Sequence, residues 1–260
     1  MRKLPALFLP GLFALLQSIV VAQQVPPSWT PTQDGGVTQT LQSIYIPPLL
    51  GAPFSAIVHT EWTRPLPGGG SYTVVNQRKV ARDSQGRIYE ERWLLVPRDS
   101  RIKSQMNVIQ IADPNKHTLY NCFVLGEPRR CILQRYAESL MTSYTPPGSV
   151  PPPATSGNTT TTHENLGAQY IQGVYTTGIR DTTTVKAGVS GNDRPMITVR
   201  EFWNAPSLGI NLVSRFTSPL TGTQVFTLTD VSLDAPDPSL FEVPAGLEIV
   251  DRRRQPSPQQ

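Results

Sequence analysis

From Phe54 to Val231 the chain returns again and again to a two-residue hydrophobic period, and that period limits what it can fold into. Phe54, Ala56, Val58, Thr60 and Trp62 fall on one side of the first segment. Ser55, His59, Glu61 and Thr63 fall on the other, with Ile57 as the exception. Successive strand side chains point to opposite faces, so this is a half-buried strand. Pro65-Leu66-Pro67-Gly68-Gly69-Gly70 breaks it, and 71–82 reads as the return strand, with Val74 and Val80 on one face and Val75 and Ala81 on the other. Asp83-Ser84-Gln85-Gly86 and Asp113-Pro114-Asn115 are turn signals around two more strands, 88–96 and 102–112. In the second half, 168–179 and 182–186 read as two strands or one bent strand, followed by 196–203, 208–216 and 224–231. Only 136–144 reads as a helix, and Asp237-Pro238 offers an N-cap and a first helical proline for one further turn. The short connections predict antiparallel pairing, and the lack of helical crossovers excludes a parallel α/β fold. The expected fold is mainly β: a single antiparallel curved sheet or open half-barrel with one or two short helices.

The amino terminus reads as a secretory signal peptide over 1–22. Arg2 and Lys3 precede an uncharged run, Leu4 to Val21, and Val20-Val21-Ala22 supplies a small residue before a cut between Ala22 and Gln23. An uncleaved anchor is the alternative, but Pro5, Pro10, Gly11 and Gln17 weaken that run as a membrane helix. After cleavage no integral membrane segment is expected, and the compartment is periplasmic or secreted. Residues 23–50 read as an extended leader, 51–251 as the β half-barrel domain, and 252–260 as a polar tail. The proline- and threonine-rich stretch 145–164 reads as a mobile loop within the domain.

Export makes pairing of the two cysteines the expectation, with buried free thiols as the alternative. Segments 118–124 and 132–136 read as strands around Gly126-Glu127, with glycine first as a two-residue II′ turn wants. In that register Cys122 lies across from Cys131. Pro128 could lengthen the loop to four residues without changing the pairing.

The sequence carries no pattern for catalysis. His59, His117 and His163 have no second histidine or cysteine at metal-ligand spacing. His59 reads as exposed on a strand face beside Glu61, and His163 as a solvated loop residue. Glu90 and Glu91 are adjacent on a strand, so they point to opposite faces and cannot act as a carboxylate pair. Gly68-Gly69-Gly70 precedes a strand, not a helix, so it is a hairpin loop and not a phosphate cradle. The 23 basic and 19 acidic residues become 21 and 19 without Arg2 and Lys3, too even a balance to argue for nucleic acid. No metal and no cofactor are expected.

Four motifs carry a resemblance. They are Arg82-Asp83-Ser84-Gln85-Gly86-Arg87, Glu201-Phe202-Trp203-Asn204-Ala205-Pro206-Ser207-Leu208-Gly209, Ser218-Pro219-Leu220-Thr221-Gly222, and Asp237-Pro238-Ser239-Leu240-Phe241-Glu242-Val243-Pro244. Over roughly 50–251 the chain resembles a family of exported proteins of no agreed activity, common in Acidobacteria. More distantly, the strand order and the closing Leu-Phe-x-x-Pro are similar to the LolA-like half-barrels of periplasmic lipoprotein carriers and envelope-stress regulators. The near resemblance implies no catalytic residue; the distant one implies an apolar concave face that holds acyl chains.

The functional expectation is an exported, non-enzymatic binding protein that holds a lipid, an acylated chain or a peptide. Phe54, Val58, Trp62, Trp93 and Trp203 are the candidate lining residues, although aromatic residues on strands also serve as ordinary core. The expected partners are a lipid, an acylated protein or another envelope protein. The alternative is an envelope interaction or sensor module with no small-molecule ligand, docking through a sheet edge.

Overall fold

The computed structural model describes residues 44–136 and 153–253. Fourteen strands run along them: β1 Phe54–Pro65, β2 Ser71–Arg82, β3 Ile88–Trp93, β4 Val96–Pro97, β5 Met106–Asp113, β6 Thr118–Phe123, β7 Arg130–Arg135, β8 Ala154–Ser156, β9 Thr159–Ile171, β10 Val174–Val185, β11 Met196–Ala205, β12 Ile210–Ser218, β13 Gly222–Ser232 and β14 Glu248–Asp251. They build one curved, open sheet in the order β14-β7-β6-β5-β3-β2-β1-β13-β12-β11-β10-β9-β8, with the two-residue β4 beside β2. Pairing is antiparallel as expected, except that β14 returns to lie parallel to β7. Residues 1–22, read from the sequence as a signal peptide, most of the stretch read as a leader, and the tail from 254 lie outside the described residues.

The alternation in β1 is obeyed residue by residue. Phe54, Ala56, Val58, Thr60 and Trp62 are buried and the residues between them are half-exposed. Cross-strand partners on the same face continue the pattern into β2, through Val80 and Val74, and into β13, through Leu228 and Phe226. This first face carries the larger apolar cluster, which also takes in Ile210, Leu212 and Leu208. The second face carries a smaller cluster around Tyr89, Ile109, Ile111 and the cysteines, capped by Phe241. Phe241 closes the one-turn 3-10 helix Pro238–Phe241, whose N-cap Asp237 accepts from the Ser239 N–H as the sequence suggests.

Cys122 and Cys131 pair across β6 and β7 with Cα atoms 3.9 Å apart, joined in a disulfide and fully buried. The register is the expected one, but the strands stop at Phe123 and resume at Arg130. The connection is therefore longer than a two-residue turn.

Two segments differ from the sequence expectation. Within 145–164, residues Ala154–Ser156 and Thr159 onward are strands β8 and β9, not loop. A threonine run is polar, yet its β-branched side chains suit a pleated surface exposed on one side. The helix expected over 136–144 lies outside the described residues apart from Tyr136, which is buried coil. The second difference is the span 168–186, which is neither one bent strand nor broken near 180. It is split at Gln172-Gly173, where both residues adopt positive φ, 50° and 75°, and β9 turns back as β10. Glutamine rarely takes that conformation, so the tight turn had no recognisable signature.

The candidate binding faces

Three of the five candidate lining residues share the first face, and there they are core. Phe54 and Val58 are fully buried in the apolar cluster. Trp62 is pinned at the sheet end: its indole N–H donates to the Thr221 carbonyl at 2.7 Å, and Arg64 stacks over its ring at 4.7 Å. Trp93 and Trp203 point to the other face, as β-register requires of odd positions in β3 and of Trp203 opposite Val213. Trp203 covers Gly178, its cross-strand partner. A Cβ at Gly178 would lie 2.8 Å from the indole, so the ring fills the space that a side chain would otherwise take. The sequence pattern shows that aromatic residues alternate, but the bulges and register that assign each to a face are tertiary facts.

A first-face cavity of about 310 Å³ opens beside this core. Ile44, Ile46, Ile88, Ala112 and Leu119 give it apolar walls, and Tyr45 and Tyr136 close part of its rim. Ile44 and Ile46 are buried, so the end of the leader packs onto the sheet and forms one wall. Glu90, Arg92 and Gln110 line the remaining side and start a chain of polar contacts that crosses the wing of the sheet. Arg78 and Arg92 reach the Glu90 carboxylate at 3.1 and 3.0 Å. The Arg92 guanidinium donates to Gln110, Gln110 to Asn121, and Asn121 to Gln134. Burial pulls the Arg78 guanidinium down from its ordinary value, and the facing Glu90 carboxylate works against that shift. Tyr136 is pushed up to about 12, first by burial and then by its hydrogen bond with Tyr45 and the nearby Glu90 charge.

The second face holds a larger cavity of about 630 Å³, where β3 leans away from β2. Trp93 lines it; Phe54, Val58, Trp62 and Trp203 line neither cavity. His59 also lines it and bonds Thr229 at 2.8 Å, so this histidine is less exposed in role than its strand position suggests. His163 is not a loop residue but sits on β9, its Nδ1 2.6 Å from the Asp181 carboxylate. The strand reading of the threonine run would have put it there. As expected, Glu90 and Glu91 part to opposite faces: Glu90 borders the first cavity and Glu91 the second. Among the described residues no cluster of three or more His, Cys, Asp or Glu could hold a metal ion. No helix among them is long and apolar enough to cross a membrane.

An open, curved antiparallel sheet with a walled cavity on each face is thus the class that the fold defines. No protein-family model matches the chain and no curated protein matches it in sequence. The near resemblance to exported acidobacterial proteins is therefore without support from either. Among solved structures the chain is similar to MucB, at 14% identity over 76% of this chain and 60% of that one, with a TM-score of 0.37. It is similar also to the MucA/MucB complex of Pseudomonas aeruginosa, at 13% identity over 75% and 58% with a TM-score of 0.35. A third likeness is to the Mycobacterium tuberculosis lipoprotein LppX, at 13% identity over 71% and 90% with a TM-score of 0.30. The chain spans about 60% of the length of MucB.

Proposed function

We propose that this chain is an exported, non-enzymatic binding protein of LolA-like half-barrel type, released from its first 22 residues between Ala22 and Gln23, that holds an amphiphile by its acyl chain. The ligand is a free lipid or the lipid of an acylated protein. The observation that carries this reading is the first-face cavity, whose two sides have different chemistry. Ile44, Ile46, Ile88, Ala112 and Leu119 suit a hydrocarbon tail, while Arg92 and Gln110 beside Glu90 suit a polar head. Its volume of about 310 Å³ lies at the lower end of the range for small-molecule pockets. Removing tail surface from water supplies about 25 cal/mol per Å². Two of the residues expected to line the pocket, Phe54 and Val58, lie in the same apolar cluster as Ile44 and Ile46.

Displacement of a fluorescent fatty acid tests the reading. The protein should bind the probe saturably, and Leu119→Asp, which puts a charge among the apolar walls, should abolish binding while the variant still melts cooperatively. Leu119 is only half-buried, so the fold tolerates the change. Unchanged binding by Leu119→Asp, or no binding by the parent protein, contradicts it.

A further inference from the structure

The even overall charge of the chain hides a local asymmetry at one end of the sheet. Three connections lie side by side there, because the strands they join are neighbours in the order β5-β3-β2-β1-β13-β12. They are the β1–β2 turn 66–70, the β12–β13 turn 219–221 and the stretch 94–105, which carries β4 between β3 and β5. Each presents a large aliphatic side chain to solvent: Leu66 is 48% exposed, Leu220 71% and Ile102 62%. Single exposed apolar residues are ordinary on a protein surface, but here three share one end of the sheet on neighbouring connections. Residues 62–73, 94–105 and 219–224 carry Arg64, Arg98, Arg101 and Lys103 against Asp99 alone. Glu61 takes up Arg98 in an ion pair, which leaves three cations to one anion. The connections at the opposite end of these strands, 83–87, 114–117, 206–209 and 233–237, have the reverse balance. Their two cations, Arg87 and Lys116, are each paired to an aspartate, and Asp234 and Asp237 add negative charge.

These connections are held by hydrogen bonds, so the exposure of their tips is built into the fold. In the β1–β2 turn the Gly69 N–H donates to the Leu66 carbonyl at 3.1 Å and the Leu66 N–H to the Gly70 carbonyl at 3.2 Å. The β12–β13 turn is tied to its neighbour. The Trp62 indole N–H donates to the Thr221 carbonyl at 2.7 Å, and Gly222 packs so closely on Thr63 that a Cβ would strike its carbonyl oxygen. The third connection is anchored by the Arg98 N–H on the Thr73 carbonyl and the Leu94 N–H on the Gln105 carbonyl, both at 2.9 Å. The Arg64 guanidinium lies against two rings, 4.7 Å from the centre of Trp62 and 5.5 Å from that of Tyr72. Aliphatic tips beside indole, phenol and cationic groups match the boundary between acyl chains and headgroups, where amphipathic rings and basic side chains settle.

We infer that this end of the sheet docks on the surface of an anionic lipid bilayer, with Leu66, Leu220 and Ile102 entering the headgroup boundary and Arg101 and Lys103 meeting lipid phosphates. The attachment is peripheral and reversible. Three side chains bury little apolar area, and each basic residue near an anionic surface adds about fivefold in affinity. None of these five residues lines the first-face cavity, so the docking surface and the amphiphile site are separate.

Flotation of the full mature chain with lipid vesicles tests this. The chain should float with phosphatidylcholine vesicles that contain phosphatidylglycerol. Flotation should weaken on pure phosphatidylcholine and at high salt, which screens the cations. Leu66→Ser combined with Leu220→Ser should lower vesicle affinity about tenfold or more and leave fatty-acid displacement unchanged. Arg101→Gln and Lys103→Gln should lower it about fivefold each. All four side chains are exposed, so the variants should melt as the parent does. Leu119→Asp, which blocks the first-face cavity, should still float, and this separates surface docking from extraction of a single lipid. No flotation with anionic vesicles overturns the inference. So does flotation that the leucine substitutions leave intact, that is equal on neutral and anionic vesicles, or that Leu119→Asp abolishes.

Discussion

Arg82 Nη2 donates to the carbonyl of Leu208 at 2.7 Å, across 126 residues of sequence. The same buried guanidinium donates to the carbonyls of Pro47 and Ala52 at 2.8 to 2.9 Å and lies 5.1 Å from the Phe54 ring. One side chain thus ties the leader end, the start of β1 and the turn between β11 and β12. Arg87, five residues on, stacks over Phe241 at 4.9 Å. Three of the four motifs behind the family resemblance therefore meet at one end of the sheet, and what they do there is hold the fold together.

Arg82→Met should lower stability by about 3 kcal/mol or more, because three carbonyl groups lose a charged donor in a buried site. Chemical denaturation measures it. Arg82→Lys should recover only part of the loss, since an ammonium cannot reproduce the planar fork.

Gly222→Ala should destabilise the β12–β13 turn. Gly222 sits at φ +80°, and an added Cβ would fall 2.1 Å from the Thr63 carbonyl oxygen, so both backbone conformation and space refuse it. The expected loss is about 2 kcal/mol or more, and Leu220→Ala in the same turn, with Leu220 exposed, should cost little.

Reduction of Cys122–Cys131 should cost about 2.5 kcal/mol by the loop-entropy estimate, and the protein should remain folded because both clusters persist. Thermal melts with and without reductant, with thiol alkylation as the control, check this. A native oxidised protein with two alkylatable thiols would contradict the pairing.

Tyr136 makes stability depend on pH at the alkaline end. Its folded value is raised above that of the unfolded chain, so its contribution is complete below about pH 10 and falls as pH rises toward 12. Tyr136→Phe should flatten that limb of the stability profile. An unchanged limb would show that the Tyr136 hydroxyl is not buried against Tyr45.

The sequence is legible where one local rule decides. The alternation in β1 and β2, the cysteine register and the Asp237 cap all rest on residues close together, and all reappear in the structure. It is illegible where the fold overrides a local cue. The Gln172-Gly173 turn uses a residue seldom found at positive φ. The threonine run became strand because β10 offered it a partner. The aromatic candidates failed as a set for a further reason. Burial is readable from period two, but a cavity is what packing leaves unfilled, and its walls here are mainly Ile44, Ile46, Ile88 and Leu119 from three separate segments.

Native mass spectrometry of the protein purified from its own host, followed by organic extraction, tests the binding claim most directly. The account predicts an added mass that denaturation releases as an amphiphile with an acyl chain, and that Leu119→Asp protein lacks. A bare polypeptide from the host, together with no displacement of the fluorescent fatty acid, would contradict it.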